Sequence, residues 1–288
     1  MKTIAINGSS GFIGQALCTY LSDYYIVIRI NRADYLLNPE FLASKIEGAD
    51  IVMNIAGASV SHFWTKKYQR IILTSRIDTT RNLIKAIQTL GKKPELFISA
   101  SAIGVYDSQH QHSENSTDFG KDFLAGVCLR WEREALTGQT SGMDTTIIRI
   151  GIVLGRTGGM LPKMIGGFSF GLGAVLGSGK QNISFLHISD LMAATRLIID
   201  RHITGVVNMV APESCTNTEF SKVLAGSLKR PLWFKIPEWV LKLVLRKQST
   251  MVLGGQRVLP TVLQQHGFVF QYPRIGEAIN NLIQKEPL

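Results

Sequence analysis

Three glycines near the start of the chain have the spacing needed to bind a phosphate group. Gly8, Gly11 and Gly14 stand at three-residue intervals between an apolar run at residues 3–6 and a helical pattern that begins at Phe12. That order is typical of a strand, a tight turn and a helix, in which the glycines allow the turn, the approach of a pyrophosphate and close helix packing. Amides at the helix N-terminus favour the same anion. The stretch predicts a dinucleotide-binding turn, with a glycine-rich turn between two core elements as the alternative.

Two arginines follow where the second strand should end. Arg29 and Arg32 lie in and just after the apolar run at residues 25–30, and the first acidic residue, Asp34, comes later. NAD-specific enzymes usually have a carboxylate here for the ribose hydroxyls, whereas arginine suits the 2′-phosphate of NADP. We therefore predict NADP(H) as the cofactor, with Arg32 as the better phosphate contact. The alternative is that both arginines are solvated surface residues.

Strand and helix patterns alternate along the rest of the chain. Apolar runs predict further strands at residues 49–56, 94–101, 144–150, 205–210 and 230–236. Amphipathic patterns predict helices at residues 41–46, 64–90, 122–136, 219–228 and 238–245. This alternation predicts an α/β fold with a doubly wound parallel sheet.

The carboxyl end of the third strand should lie over the cofactor. Asn54, Ala56 and Gly57 stand there, and small residues leave room for the adenosine and its ribose. The full set of predicted cofactor contacts is Gly8, Ser10, Gly11, Phe12, Ile13, Gly14, Arg32, Asn54, Ala56, Gly57 and Ser99.

Composition excludes several classes of protein. With 45% apolar and 18% charged residues among 288, the chain is not disordered, and no apolar run reaches the roughly 18 residues that cross a bilayer. The first apolar run is interrupted at Asn7, so we expect no signal peptide and a cytoplasmic location. Cys18, Cys128 and Cys215 are too dispersed for a disulfide framework or a zinc site. The net charge of +10 is scattered, so we expect no nucleic-acid partner. We also expect no membrane partner, because no apolar run spans a bilayer and core packing is favoured for the apolar residues at 239–244.

Three other segments have both an ordinary and a functional interpretation. His110 and His112 lie in a polar loop without a third metal ligand, so we predict solvated histidines and no metal site. Residues 151–179 contain ten glycines and form either the lip of a substrate pocket or a set of tight turns. We predict that four apolar residues of the helix at 238–245 pack in the core: Trp239, Val240, Leu243 and Val244. The alternative is that they form a membrane or partner surface.

Taken together, these motifs resemble the short-chain dehydrogenase/reductase superfamily, and within it the atypical group of epimerase family proteins. The resemblance covers almost the whole chain. Its carriers are GSSGFIG at 8–14, NIAG at 54–57, SRIDTT at 75–80, SASAIGVY at 99–106, DFLAGVCLRWE at 122–132, RIGIVLGRTGGMLPKM at 149–164, GLGAVLGSGKQ at 171–181, LHISDL at 186–191 and LGGQRVLP at 253–260.

The resemblance implies an NADP(H)-binding Rossmann core at residues 1–160 and a mixed region at 161–288. Within the latter, about 183–210 would return to the core and about 211–288 would form a smaller C-terminal α/β lobe on the substrate side. Relatives often dimerise through helices such as those at 64–90 and 122–136, so a homodimer is expected by analogy.

The chain departs from the conventional superfamily at the catalytic helix. Conventional members use tyrosine in a Tyr-x-x-x-Lys helix as the general acid or base. The corresponding helix here, at 122–136, has no tyrosine and no lysine; Val127 and Trp131 stand at that spacing, and Arg130 is the nearest cation.

Two hypotheses follow for the activity. In the first, the chain is an oxidoreductase or epimerase acting on an unidentified small molecule; Tyr106 is the leading replacement proton carrier, with packing as its alternative. Ser101 or Ser99 stands near the usual serine, and Arg76 and Lys163 are predicted to neutralise an anionic substrate. In the second hypothesis the chain binds NADP(H) without turnover, as a sensor or interaction module.

Overall fold

A six-stranded sheet is the largest element of the computed structural model, which describes residues 1–36, 39–139 and 142–284. Its strands are β1 (Thr3–Asn7), β2 (Ile26–Ile30), β3 (Ile51–Asn54), β4 (Leu96–Ala102), β6 (Asp144–Ile150) and β11 (Gly205–Met209). They are parallel and lie in the order β11-β6-β4-β3-β1-β2. The chain starts inside the sheet, moves to one edge and then crosses to the other side, so the predicted doubly wound α/β fold is confirmed.

Eight short strands form four two-stranded ladders. They are β5 (Gln111–His112), β7 (Ile152–Leu154), β8 (Ala174–Leu176), β9 (Asn182–Ile183), β10 (Phe185–His187), β12 (Cys215–Thr216), β13 (Phe234–Ile236) and β14 (Arg257–Val258). The pairs β7–β10, β8–β13 and β5–β14 are parallel, and β9–β12 is antiparallel.

The helices mostly follow the predicted amphipathic patterns. They are α1 (Phe12–Leu21), α2 (Arg32–Leu36), α3 (Pro39–Ile46), α4 (Lys66–Thr89), α5 (Phe123–Leu136), α6 (Leu161–Ser169), α7 (Ile188–Asp200), α8 (Asn217–Ser227), α9 (Glu238–Leu245), α10 (Ser249–Leu253), α11 (Thr261–Gln265) and α12 (Ile275–Gln284). The exit of β2 is the short helix α2, which the patterns did not predict; at its start the carboxylate of Asp34 accepts a hydrogen bond from the backbone N–H of Asn31 at 2.6 Å.

Side chains of one sheet face form the largest part of the first core. Ala5, Val52, Phe97 and Ile147 are buried there, one from each of four strands. Against them pack buried side chains of three helices, namely Leu42, Ala43, Ile46, Leu83, Ile84, Ala86, Ile87 and Ala135. The helices α3, α4 and α5 are therefore held on this face by apolar burial.

The chain divides into two compact units. The first unit comprises residues 1–105, 123–149 and 192–207, and the second comprises 106–122, 150–191 and 208–288. Residues 106–122 and 150–160, which the resemblance assigned to the nucleotide-binding core, group with the second unit. Phe185, Phe220, Leu224 and Ile279 lie in the apolar core of that unit.

The predicted core packing of the α9 side chains is wrong for most of the helix. Leu241 is buried, but Trp239, Leu243 and Val244 are well exposed, and Val240 is only half-buried. The apolar pattern of α9 runs almost all the way round the helix, so periodicity did not identify which side faces the core.

A buried ion pair ties β6 to α5 in the first unit. The guanidinium of Arg149 donates from Nε to Oε1 of Glu132 at 2.9 Å and from Nη2 to Oε2 at 2.7 Å. Ser101 at the end of β4 donates to the same Oε1 at 2.6 Å. Both charged side chains are nearly inaccessible to water, so each depends on the other for compensation of its charge.

Replacing Arg149 by methionine is expected to lower the free energy of unfolding by about 3–5 kcal/mol, because it leaves Glu132 buried without its cation. The matched control is Arg81→Met. Arg81 forms the same two-bond pair with Glu134 on α5, but its side chain is 44% exposed, so we expect a loss below about 1 kcal/mol. Urea titration measures both, and equal losses would contradict this account of the Arg149 pair.

Candidate nucleotide-binding site

The turn after β1 has the geometry that the glycine spacing predicts. Gly8 has φ +91°, and a Cβ there would lie 2.8 Å from the backbone nitrogen of Ala56. Its N–H donates to the carbonyl of Ile30, and its carbonyl accepts from the N–H of Gly11 at 3.1 Å. A Cβ at Gly14 would lie 2.1 Å from the carbonyl oxygen of Gly8, so α1 approaches the turn through a glycine.

The N-terminus of α1 is open to an anion. Gly11 is the N-cap and provides no side-chain hydrogen bond, and the first turn carries no acidic residue. The hydroxyl of Ser9 is not free to cap the helix, because it lies 3.0 Å from the carbonyl oxygen of Ile30 and 2.9 Å from Oδ1 of Asn31. First-turn amides without a side-chain cap favour a phosphate through their hydrogen bonds and the helix dipole.

A cleft of about 420 Å³ adjoins this turn within the first unit. Its lining residues are Gly8, Ser10, Gly11, Arg32, Ile55, Ala56, Gly57, Ala58, Ile71, Thr74, Ser75, Asp78, Thr79 and Asn82. Six predicted cofactor contacts are therefore brought together on one cleft: Gly8, Ser10, Gly11, Arg32, Ala56 and Gly57. Phe12, Ile13, Gly14, Asn54 and Ser99 are not among its lining residues.

The α4 wall of the cleft was missed from the sequence. Ile71, Ser75, Asp78 and Asn82 recur at three- and four-residue intervals, which places them along one side of the helix. This spacing of mostly small polar residues was the available signal. The polar pattern was not recognised, because the apolar positions of α4 were assigned only to core packing.

The charged residues at the exit of β2 have different roles. Asp34 forms an ion pair with Lys45 at 2.6 Å. Although burial alone would raise it, the pKa of Asp34 lies below its usual value because Lys45 and the N–H of Asn31 donate hydrogen bonds to the carboxylate. Arg32 lies on the cleft, and no ion pair among the described residues includes it. The positive charge is therefore the one available to a ligand.

Asn54, at the end of β3, belongs to a chain of hydrogen-bonded polar side chains. Its Oδ1 accepts from Nδ2 of Asn7 at 3.1 Å, and its Nδ2 donates to the hydroxyl of Thr80 at 2.8 Å. That hydroxyl also accepts from Nε1 of Trp131 at 2.9 Å. Ser99 is buried beside Asn54 in the strand register. Direct cofactor contact by Asn54 and Ser99 stays a prediction; the observed bonds fix the ends of β1 and β3.

Arg76 is a half-buried residue whose guanidinium no ion pair among the described residues includes. Its Nη1 donates to the carbonyls of Ala58 and Ile72, and its Cζ lies 5.3 Å from the ring centroid of Trp131. Burial lowers its pKa from the usual arginine value. Gly57 leaves room for it, because a Cβ there would lie 2.9 Å from the guanidinium carbon. Arg76 thus presents a positive charge next to the cleft wall.

The two predicted catalytic hydroxyls both have buried acceptors. Ser101 donates to Glu132, as described above. Tyr106 is 1% exposed, and its hydroxyl lies 3.0 Å from the carbonyl oxygen of Ser113 and 2.9 Å from Oδ1 of Asn208. Its ring stacks on His112. A catalytic role stays a prediction for both, while these contacts favour the packing alternative for Tyr106.

The second unit has a cleft of its own, of about 550 Å³. Tyr106, Asp107, Lys121, Asp122 and Gln256 are among its lining residues. Lys163, the other predicted substrate-side cation, is exposed on α6 in the same unit, whereas Arg76 belongs to the first unit.

The loop histidines pair with an acid. The Asp107 carboxylate lies 2.9 Å from Nδ1 of His110 and 3.1 Å from Nε2 of His112, and accepting a hydrogen bond from His110 it raises the pKa of that histidine. Contrary to the prediction of two solvated histidines, His112 is buried. Within the described ranges no group of three potential ligands is placed to hold a metal ion. In the same ranges, no helix combines the length and apolarity that crossing a membrane requires.

A doubly wound sheet with a glycine turn and an adjoining cleft defines a dinucleotide-fold protein, and comparison with known families specifies which one. The model of the NAD dependent epimerase/dehydratase family matches residues 4–210, and a domain of unknown function, DUF1731, matches residues 236–282. This chain therefore belongs to the NAD-dependent epimerase/dehydratase family, and the resemblance stated from its motifs is confirmed.

Individual relatives match along nearly their whole length. Epimerase family protein YfhF of Bacillus subtilis is 33% identical, with 97% of each chain covered. Epimerase family protein SDR39U1 of Mus musculus is 31% identical, with 97% of this chain and 99% of the relative covered. A crystal structure of human epimerase family protein SDR39U1 with NADPH superposes with a TM-score of 0.89 at 28% identity, covering 99% of this chain and all of that one.

Tyr106→Phe is expected to lower the free energy of unfolding by about 1–3 kcal/mol, because it removes the hydroxyl that donates to the buried Oδ1 of Asn208. Tyr68→Phe is the control: the Tyr68 hydroxyl donates to the carbonyl of Ser59 at an exposed site, so we expect a smaller loss, below about 1 kcal/mol. Thermal and urea unfolding measure both. An unchanged stability of Tyr106→Phe would contradict this structural role.

Proposed function

We propose that this chain is an NADP(H)-dependent oxidoreductase or epimerase that acts on a small molecule. The observation that carries the proposal is the cleft of the first unit, where the glycine turn and the guanidinium of Arg32, which has no ion-pair partner among the described residues, line one cavity. When bound, a nicotinamide dinucleotide supplies hydride chemistry at its ring. The residues of the chain supply its binding and orientation.

The residues fit such a cofactor at two points. At Gly8 and Gly14 a Cβ would collide with backbone, so the turn keeps the close approach that a pyrophosphate needs. The uncapped first turn of α1 offers amide donors to the same group. The NADPH in the crystal structure of the human relative supports the choice of dinucleotide.

Arg32 supports NADP(H) over NAD(H). A 2′-phosphate gains two parallel charge-assisted hydrogen bonds from a guanidinium, whereas an NAD-specific site offers a carboxylate to the ribose hydroxyls. Asp34, the first carboxylate after β2 along the chain, is already paired with Lys45. The cleft therefore presents a cation where the two cofactors differ.

Arg32→Ala is expected to weaken NADPH binding about 10- to 100-fold and to leave NADH binding nearly unchanged, because one charged hydrogen-bond donor is lost. Arg29→Ala is the matched control: Arg29 is exposed on β2 and is not among the cleft-lining residues. Dissociation constants from nicotinamide fluorescence measure all three proteins. Equal affinities of the wild type for NADPH and NADH would contradict the assignment.

For the substrate we propose a small molecule with an anionic group. Arg76 supports this, since its charge is partly withdrawn from solvent and has no carboxylate partner among the described residues. Such a guanidinium gains from an anionic ligand. Lys163 is retained as a second candidate cation. Ser101 and Tyr106 remain the proposed hydroxyl groups.

The second candidate function is NADP(H) binding without turnover. The sequence of α5 favours it, because that helix contains neither tyrosine nor lysine and so lacks the Tyr-x-x-x-Lys pair of conventional superfamily members. The two candidates share the cofactor cleft and differ only in whether a substrate is converted.

A screen of carbonyl and sugar-nucleotide compounds against the NADPH-loaded protein separates the two functions. For an oxidoreductase we expect at least one compound to cause loss of nicotinamide fluorescence beyond one equivalent of cofactor, and Arg32→Ala to slow that loss at limiting NADPH. An epimerase regenerates its cofactor in each cycle, so for it we expect no net fluorescence loss but a new stereoisomer of one compound, detected by NMR of reactions with NADPH or its oxidised form. NADPH binding with neither multiple-turnover fluorescence loss nor a new stereoisomer for any compound would contradict the enzyme and leave the sensor. Absence of NADPH binding would contradict both.

A further inference from the structure

Residues 229–247 of the second unit form an apolar and basic segment with several large side chains exposed to solvent. The nucleotide site does not account for this exposure. We call it the 229–247 segment; it contains β13 and α9 and reads KRPLWFKIPEWVLKLVLRK. Trp233 is 80% exposed, Trp239 is 68% exposed and Leu243 is 71% exposed. Large apolar side chains at this exposure, grouped in one segment, are typical of an interaction surface.

The side of helix α9 that faces solvent is apolar, which is the opposite of an ordinary surface helix. Leu241 is its buried residue, and Trp239 and Leu243, four residues apart, lie together on the side turned away from it. A surface helix normally presents charged residues on that side. The outward face of α9 therefore gains from being covered by an apolar medium.

More exposed apolar residues lie next to the segment. Phe170 and Leu172 come just before β8, and Trp233 comes just before β13. Because Phe234 pairs with Ala174 in the β8–β13 ladder, these side chains belong to the same end of the ladder. Phe170 is 84% exposed, so exposed apolar side chains are also found outside α9, at this end of the ladder.

The charge of the segment identifies the kind of partner. It contains six basic residues and one acidic residue, Glu238, which forms an ion pair with Lys242 at 2.7 Å. Six minus one leaves five positive charges without an acid in the segment, on Lys229, Arg230, Lys235, Arg246 and Lys247. A partner must therefore be apolar and negatively charged at the same time.

A second copy of this chain does not meet that requirement. A two-fold interface would bring the 229–247 segments of two copies together, with their like charges opposed. An anionic bilayer does meet it, since basic side chains bind lipid headgroups while tryptophan and leucine enter the boundary of the acyl region. No spanning helix is required for such binding.

We propose that the 229–247 segment docks this protein on the surface of a membrane that contains anionic phospholipids. The inference is independent of the cofactor and substrate proposals. It revises the expectation of no membrane partner, which assumed that the apolar side chains of α9 were buried.

Vesicle sedimentation tests the proposal with the full chain. We expect binding to vesicles of phosphatidylglycerol and phosphatidylcholine, little binding to phosphatidylcholine alone, and release by salt. Trp239→Gln with Leu243→Gln, and Lys229→Gln with Arg230→Gln, are each expected to weaken binding about tenfold or more. The control Lys66→Gln with Lys67→Gln removes two exposed charges at the start of α4 and should leave binding nearly unchanged. Thermal unfolding of each variant confirms that it is folded.

Three results would overturn the proposal. The first is no binding of the wild type to anionic vesicles at low salt. The second is equal weakening by the Lys66 and Lys67 control, which would indicate attraction by net charge alone. The third is a concentration-dependent dimer in light scattering that Trp239→Gln with Leu243→Gln abolishes, with vesicle binding unaffected, which would assign the surface to a second copy.

Discussion

The carbonyl oxygen of Gly8 would lie 2.1 Å from a β-carbon at position 14, so α1 can reach the end of β1 only through a glycine. The same turn has Gly8 at a positive φ against the backbone of Ala56, so the turn and the exit of β3 are fixed together. This close backbone contact brings the uncapped amides of α1 next to a cleft whose other wall is α4. Hydrogen bonds and apolar packing in the rest of the first unit hold that contact in place.

Polar contacts as well as apolar packing connect the strands and helices around the turn. Asn7, Asn54 and Thr80 connect β1 to β3 and α4, and Trp131 on α5 joins the same hydroxyl. The Arg149–Glu132 pair holds β6 to α5, and Ser101 adds β4. Helix α5, which the resemblance equates with the tyrosine–lysine helix of conventional members, is part of this network, and Trp131 also faces the guanidinium of Arg76. The family keeps its cofactor turn in this chain while α5 contributes packing and hydrogen bonds.

Much of the fold and of the cofactor side of the site was predictable, because local rules determine them. Glycine spacing predicted the turn, and alternating apolar patterns predicted all six strands of the sheet. The α4 wall was not predicted, since its polar positions matter only once the helix packs beside the turn. Periodicity also misassigned Trp239 and Leu243, because α9 is apolar on both sides and burial depends on tertiary packing. The buried surroundings of Tyr106 come from residues about a hundred positions away, such as Asn208.

The most direct test of the central claim is amide hydrogen exchange at residues 8–14 with and without saturating NADPH. If these amides hold the pyrophosphate, their hydrogen exchange at the start of α1 slows on NADPH addition. The amides of α12 in the second unit serve as the reference, and their exchange is expected to stay unchanged. Unchanged exchange at residues 8–14 under saturating NADPH would contradict the account.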